Sequence, residues 1–429
     1  MSKKNNKIQT ENNTNTYTSR ELINPNIKAD ESKKSDSKSE TGQDDTDTLE
    51  IEPATKQDNT YNVQDEVSQE DFDIVKKRKK HLYKGLRILF TIAFFVFLAL
   101  FINEVAIQPY KMNKAIDKAK ELYHSDHEII KEIQNNDNQV TDEPDLENNK
   151  GDNLFDSDTN PTPTPDPNRD EQGRLKKFTN LLDVNEDVKG WIKIDNVDGE
   201  NDTKIDYVVV QSDANDPEFY LHKDWVTKEY LKAGSIFLDY TSSVERNSQN
   251  LIIHGHNMTS SDDMFHYLLD YRKLDFLKEH PIISFDTIYE EGLWKIFAIV
   301  TTPGNNDRGD YFQFIRSDFK NDRDFIEYVY QIRVRSRFNI DDVDINEDDQ
   351  ILTLSTCSYE LSNYRIIILA RKVREGEDIS VNTDTITENK DALYPTSFHE
   401  HYGTKIPEIP SFDAALEDGK IPWYNPMDR

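Results

Sequence analysis

One apolar run constrains this chain more than any other feature of its sequence. Residues 88–102 read ILFTIAFFVFLALFI, with no charge and with Thr91 as the one mildly polar position. A helix of this length spans about 22 Å, and apolar flanks extend it over 82–107 toward the roughly 30 Å of a hydrocarbon core. A buried core helix is the alternative, but such helices rarely follow a basic cluster like KKRKK at 76–80. The pattern favours a transmembrane helix over 82–107.

The basic cluster also predicts an orientation. Lys and Arg next to a membrane span stay in the cytoplasm, which places the N-terminus inside and everything after the span outside the cell. The segment before the span is too long for the n-region of a cleaved signal peptide. We therefore expect a single-pass, uncleaved signal anchor in the cell membrane.

Composition indicates that much of the chain lies outside a folded core. Of the 429 residues, 35% are hydrophobic, below the 45–50% or so of typical globular domains. Residues 1–80 have the polar composition of a disordered cytoplasmic tail. Residues 108–175 are expected to form an extracellular stalk, helical to about 134, followed by a Pro/Asp-rich linker. Residues 375–429 form an acidic C-terminal extension in which Trp423 and Tyr424 are candidates to dock.

Residues 176–374 carry the pattern of one folded domain. Short β-branched and aromatic runs are separated by turn residues, and helical patterns occur at 175–184, 262–279 and 322–332. Eight or so strands without regular βαβ alternation predict a mainly β fold, a barrel or sandwich with peripheral α-helices. The formal net charge of −30 argues against a nucleic-acid partner, because phosphate neutralisation needs clustered Lys and Arg.

Cys357 is the lone cysteine, which excludes an intramolecular disulfide and a multi-cysteine metal site. It follows the apolar run 351–354 and therefore sits at a strand end, where a side chain is rigidly held and can reach a substrate. An ordinary buried cysteine is the alternative. Its small polar neighbours Ser355, Thr356 and Ser358 are unusual company for an inert core thiol, and an exposed extracellular thiol is open to oxidation.

Two further segments carry candidate chemistry. His254 and His256 follow the apolar run 250–253 and would share one face of an extended chain. They could form part of a metal site that lacks an evident third ligand, serve a structural role, or activate the thiol as a general acid and base. Arg365 opens the next β run, eight residues after Cys357. It could stabilise an oxyanion beside the thiol, or be an edge arginine paired with acids. We expect no metal or cofactor, since acidic loops such as 341–344 are typical of solvated surface.

Three segments of the sequence resemble the sortases of Gram-positive bacteria, and class B sortases in particular. They are TLSTC at 353–357, SYELSNYR at 358–365 and NLIIHGHNM at 250–258, with SIFLD at 235–239 resembling a core strand of the family. The resemblance covers about 176–374 and implies an eight-stranded sortase-type β-barrel with peripheral helices. It implies Cys357 as nucleophile, His256 as the proton-transfer residue and Arg365 as oxyanion stabiliser. Thr356 and Tyr359 are candidates for contact with the substrate peptide, and His254 is given no role.

The same resemblance implies a function. A membrane-anchored cysteine transpeptidase would cleave a C-terminal sorting motif of secreted proteins at a threonine carbonyl. It would then join that carbonyl to an amine, either of a cell-wall peptide carried on a lipid II-type precursor or of a pilin lysine. Two alternatives stay open: an extracellular cysteine peptidase without transfer activity, and a non-catalytic cell-surface binding module.

Overall fold

A computed structural model describes residues 69–137, 166–307 and 310–424, with the side chains of 125–137 left undescribed. Most of the predicted cytoplasmic tail, and the linker over 138–165, lie outside these ranges. The described residues divide into two units, one within 21–103 and the other from Glu104 onward.

The first unit contains helix α1, Gln69–Ile102. An 18-residue window in it has a mean hydropathy of 2.5, and none of that window is buried. By length and composition α1 is able to cross a membrane.

Within the described part of the second unit, eight strands close into a barrel in the order β1-β2-β3-β4-β10-β11-β8-β7. The barrel strands are β1 Val188–Lys193, β2 Asp206–Val210, β3 Ile236–Leu238, β4 Asn250–His254, β7 Ile282–Thr287, β8 Leu293–Pro303, β10 Ile351–Cys357 and β11 Tyr364–Lys372. Two short ribbons pair β5 Asn257–Met258 with β6 Asp263–Met264, and β9 Phe338–Asn339 with β12 Thr387–Glu388. The prediction of a mainly β, eight-stranded barrel is confirmed.

Three neighbouring barrel strands position the residues of interest. β4 and β10 run parallel, with Ser355 opposite His254. β10 and β11 run antiparallel, with Cys357 opposite Arg365. Because side chains alternate along a strand, directly opposite residues point to the same face of the sheet. The carboxyl ends of β4 and β10 and the start of β11 therefore meet at one edge of the barrel.

Short helices surround the barrel, and they lie at the sequence segments whose pattern predicts helices. They are α3 Thr179–Val184, α4 Leu274–Glu279 and α5 Asp322–Arg333, with 3₁₀ turns at Lys176–Phe178 before α3 and at His266–Arg272 before α4. The predicted pattern at 262–279 opens with strand β6 instead of a helix. Asn321 caps α5 by accepting a hydrogen bond from the Asp324 amide, which satisfies one of the free N–H groups at a helix start.

Helix α2, Gln108–Asp137, lies in the region for which the sequence predicts a stalk helix. Its described part packs on the barrel, where the Tyr123 ring stacks on Trp191 with centroids 4.2 Å apart. The indole Nε1 of Trp225 donates to the Ala115 carbonyl at 3.0 Å. The apolar positions at helical spacing are thus a docking face, and the folded unit begins well before residue 176.

The C-terminal extension also packs on the barrel. It contributes β12 and two helices, α6 Thr396–Tyr402 and α7 Phe412–Glu417. Trp423 is buried, and its carbonyl accepts a hydrogen bond from the Ile345 amide. The expected docking of this aromatic residue agrees with the structure.

Candidate active site

Cys357 and Arg365 form the centre of the site. The Arg365 Nη1 donates to the Cys357 Sγ at 3.4 Å. Arg365 is 8% exposed, whereas Cys357 is partly exposed and has no disulfide partner. A guanidinium held beside sulfur stabilises a thiolate electrostatically, and its other N–H groups can donate to an oxygen that gains negative charge.

The chain after β8 determines where the guanidinium can lie. A Cβ atom at Gly304 would be 3.1 Å from the Arg365 Nε and 2.8 Å from the Asn363 Oδ1. The Gly304 amide also donates to the Asn363 carbonyl at 2.6 Å. A side chain at 304 would therefore push against Arg365. The sequence marks Gly304 as a turn residue after Pro303 but gives no sign of this contact.

Both neighbours of His256 bond to the end of β10. The Gly255 carbonyl accepts from the Thr356 hydroxyl at 2.8 Å, and the Asn257 Nδ2 donates to the Cys357 carbonyl at 2.9 Å. These bonds hold the His256 backbone against the cysteine strand. Thr356 is fully buried and uses its hydroxyl to join the two strands, while its contact with a bound peptide stays a prediction.

The ring of His256 has a defined tautomer. Its Nε2 lies 3.0 Å from the Leu221 carbonyl oxygen. That oxygen can only accept, so Nε2 carries the hydrogen and the neutral ring has its lone pair on Nδ1. The next residue, Asn257, has its side-chain Oδ1 2.8 Å from the His266 Nδ1.

Burial, and after it the nearby charges of His222 and Arg365, together lower the pKa of His256 to about 4 against the opposing effect of the bond to Leu221. The His222 ring stacks on it with centroids 5.0 Å apart. At neutral pH the resting His256 ring is therefore uncharged. The cation that contacts the sulfur is Arg365.

His254 has a separate environment. Its Nε2 lies 3.0 Å from the Asp239 Oδ2, and its ring packs beside Phe237. Burial would raise the pKa of Asp239, but hydrogen bonds from His254 and Thr241 bring it below its usual value. In the part of the chain that the structure describes, no group of three or more His, Cys, Asp or Glu side chains is arranged to hold a metal ion.

Tyr359 lies two residues after the cysteine with its side chain outward. It is 59% exposed and has a φ of 56°, which is uncommon for a residue with a Cβ. Partial burial and the charge of Cys357 raise the pKa of its phenol, and Arg365 opposes this. An exposed aromatic ring two residues from the cysteine is available to contact a peptide, and that contact stays a prediction.

Comparison with known proteins identifies relatives of this chain. A family model described as the sortase domain matches residues 201–373. Sortase B of Staphylococcus aureus is 33% identical over 201 residues, covering 46% of this chain and 75% of that protein. Sortase B of Listeria monocytogenes is 37% identical over 196 residues, covering 45% of this chain and 69% of that protein.

A solved structure of a Staphylococcus aureus sortase B–substrate complex is 32% identical, with a TM-score of 0.40, and covers 46% of this chain and 85% of that one. Family membership follows from the two sequence relatives, because the alignment with this chain covers more than two thirds of the length of each. The chain belongs to the sortase family, and within it to class B, the cysteine transpeptidases.

Proposed function

We propose that this transpeptidase acts outside the cell membrane on a C-terminal sorting motif of secreted proteins. Its product would join a threonine carbonyl of that motif to an amine, either of a cell-wall peptide on a lipid II-type precursor or of a pilin lysine. The observation that carries the proposal is the 3.4 Å contact between the Arg365 guanidinium and the Cys357 sulfur. Both lie at the barrel edge to which His256 is tethered.

In the first half-reaction Cys357 is the nucleophile. Its sulfur attacks the threonine carbonyl carbon as its proton passes to the lone pair of His256 Nδ1. Arg365 donates to the carbonyl oxygen as that oxygen becomes negative. The C–N bond then breaks, His256 returns the proton to the leaving amine, and a thioester remains on Cys357.

The second half-reaction reverses these roles. An incoming amine attacks the thioester carbonyl, and the neutral His256 takes the proton that the amine loses. The carbon–sulfur bond breaks, and Arg365 stabilises the departing thiolate. His256 then passes the proton to that sulfur, which restores the thiol and the neutral ring. The low pKa of His256 supports this step, because the ring is in its basic form at neutral pH.

The location follows from the anchor. We propose that α1 crosses the membrane once, with residues 1–80 in the cytoplasm and the barrel outside, because the basic cluster precedes the span. The proposed domain limits are the anchor at 82–107, the catalytic domain over 176–374 with α2 docked on it, and the extension over 375–429. We propose no metal or cofactor for the reaction.

The test incubates the full-length protein in detergent with a panel of sorting peptides and an amine. We expect a thioacyl adduct on Cys357 by mass spectrometry and a peptide–amine product. Cys357→Ala should abolish both while leaving the tryptophan fluorescence of the fold unchanged. Cleaved peptide without amine-dependent product would favour the peptidase, and no adduct across the panel would favour the non-catalytic module.

A further inference from the structure

The C-terminal extension reaches the active site through helix α6. The Ser397 amide and hydroxyl both donate to the Asp310 Oδ2, at 2.9 and 2.7 Å. The Ser397 hydroxyl also lies 2.6 Å from the Tyr364 hydroxyl. One side chain of the extension thus bonds to two different segments of the catalytic domain.

Tyr364 connects that contact to the reactive residues. It immediately precedes Arg365 and is 2% exposed. Its carbonyl accepts from the Ser358 amide at 2.9 Å, and Ser358 immediately follows Cys357. A displacement of the Tyr364 side chain would therefore move both ends of the connection between cysteine and arginine.

The extension also reaches Glu360, which lies within the segment 358–364 that connects Cys357 to Arg365. Glu360 is bonded to the Arg337 Nη2 at 3.0 Å. The Tyr394 ring, from the extension, lies 5.7 Å from the Arg337 guanidinium, and the Asn389 amide donates to the Arg337 carbonyl at 2.9 Å. The extension therefore holds the partner of Glu360 through both a side chain and the backbone.

The extension is itself firmly attached to the catalytic domain, at β9 and at the end of α5. Strand β12 pairs with β9 through Thr387 opposite Asn339, and the Leu393 amide donates to the Val334 carbonyl at 2.8 Å. Ile386 and Ala392 are each 3% exposed. A segment fixed at these points can restrain what it touches.

We propose that the extension is a brace for the active site, with Ser397 as a positioning residue for Arg365. By bonding to both Tyr364 and Asp310, Ser397 ties the start of β11 to Asp310. Loss of the Ser397 hydroxyl would leave the barrel in place but let the guanidinium move away from the developing oxyanion. The proposal rests on the proposed transfer reaction for its kinetic readout.

The test compares Ser397→Ala with wild type in the full-length protein. Ser380→Ala is the matched control, because the Ser380 hydroxyl also donates to a carboxylate of the extension, Asp378 at 2.8 Å, yet it is exposed. We expect Ser397→Ala to lower kcat by about tenfold or more with KM within about twofold, since misplacement by about 1 Å is costly. It should also slow alkylation of Cys357 by iodoacetamide. Ser397→Thr should restore kcat, and Ser380→Ala should match wild type.

Three results would overturn the proposed brace. The first is a kcat for Ser397→Ala within twofold of wild type, and the second is an equal loss of kcat in Ser380→Ala. The third is a loss of kcat that matches the fraction of unfolded protein measured by tryptophan fluorescence. If wild type transfers no peptide, the proposed function fails. The alkylation rates then still decide the brace, because they need no substrate, and equal rates in wild type and Ser397→Ala would refute it.

Discussion

The environment of His256 predicts that this one side chain makes the fold sensitive to acid. The pKa of His256 falls from 6.5 to about 4 on folding, first because the ring is buried and then because His222 and Arg365 are close. As the pH drops below 6.5 the unfolded chain takes up a proton that the folded chain takes up only near pH 4. Stability is therefore fully present above about pH 6.5 and is lost between there and pH 4. At 1.36 kcal/mol per pH unit the loss is about 3 kcal/mol.

Denaturant unfolding of the full-length protein, followed by tryptophan fluorescence at pH 7 and pH 4, measures this loss. All four tryptophans belong to the barrel unit and are buried, so the signal reports that unit. His256→Gln keeps a polar side chain without titrating, and other groups titrate alike in both proteins. We expect wild type to lose about 3 kcal/mol more than His256→Gln between the two pH values. Equal losses of stability in wild type and His256→Gln would refute the reasoning. His222→Gln should lose less stability than wild type between the two pH values, because removal of the His222 charge raises the pKa of His256.

Three other substitutions test separate parts of the structure. Arg365→Lys removes the forked donor beside sulfur and should lower kcat by about 10²–10³-fold in the peptide-transfer assay; a loss under threefold would contradict the oxyanion role. Gly304→Ala places a Cβ 3.1 Å from the Arg365 Nε and should lower kcat by about tenfold, with unchanged kinetics as the contrary result. Tyr123→Ala removes the ring stacked on Trp191 and should lower the free energy of unfolding by about 3 kcal/mol; an unchanged value would mean that α2 is not docked in solution.

The sequence predicts the strands of the barrel well because they depend on local pattern, whereas closure into a barrel is implied by the family resemblance. Short apolar runs such as 251–253 and 366–370 are bounded by turn residues, and each becomes a strand. The chemical motifs around Cys357 and His256 also lie at strand ends, as their position after apolar runs indicates. What brings them together, the parallel pairing of β4 with β10, is a long-range contact that no local pattern contains.

Other features depend on partners that are distant in sequence. Helical spacing at Ala115 and Ala119 is the same for a free stalk as for a helix docked on a barrel, so the sequence could not distinguish them. The hydrogen bond from His256 to Leu221 requires a loop 35 residues away in the chain. The contacts of Ser397 likewise join a polar surface segment to Asp310, a pairing that composition does not reveal.

The strand order of the barrel has a consequence for when the enzyme can first act. β10 lies between β4 and β11. The Cys357 thiol, the Arg365 guanidinium and the His256 segment therefore come together only after β10 and β11, the last two barrel strands to be synthesised, have joined the barrel. A chain that stops short of β10 holds the imidazole segment without a nucleophile, and a chain that stops short of β11 holds the nucleophile without its cation. Reactivity is thereby withheld until the barrel has closed.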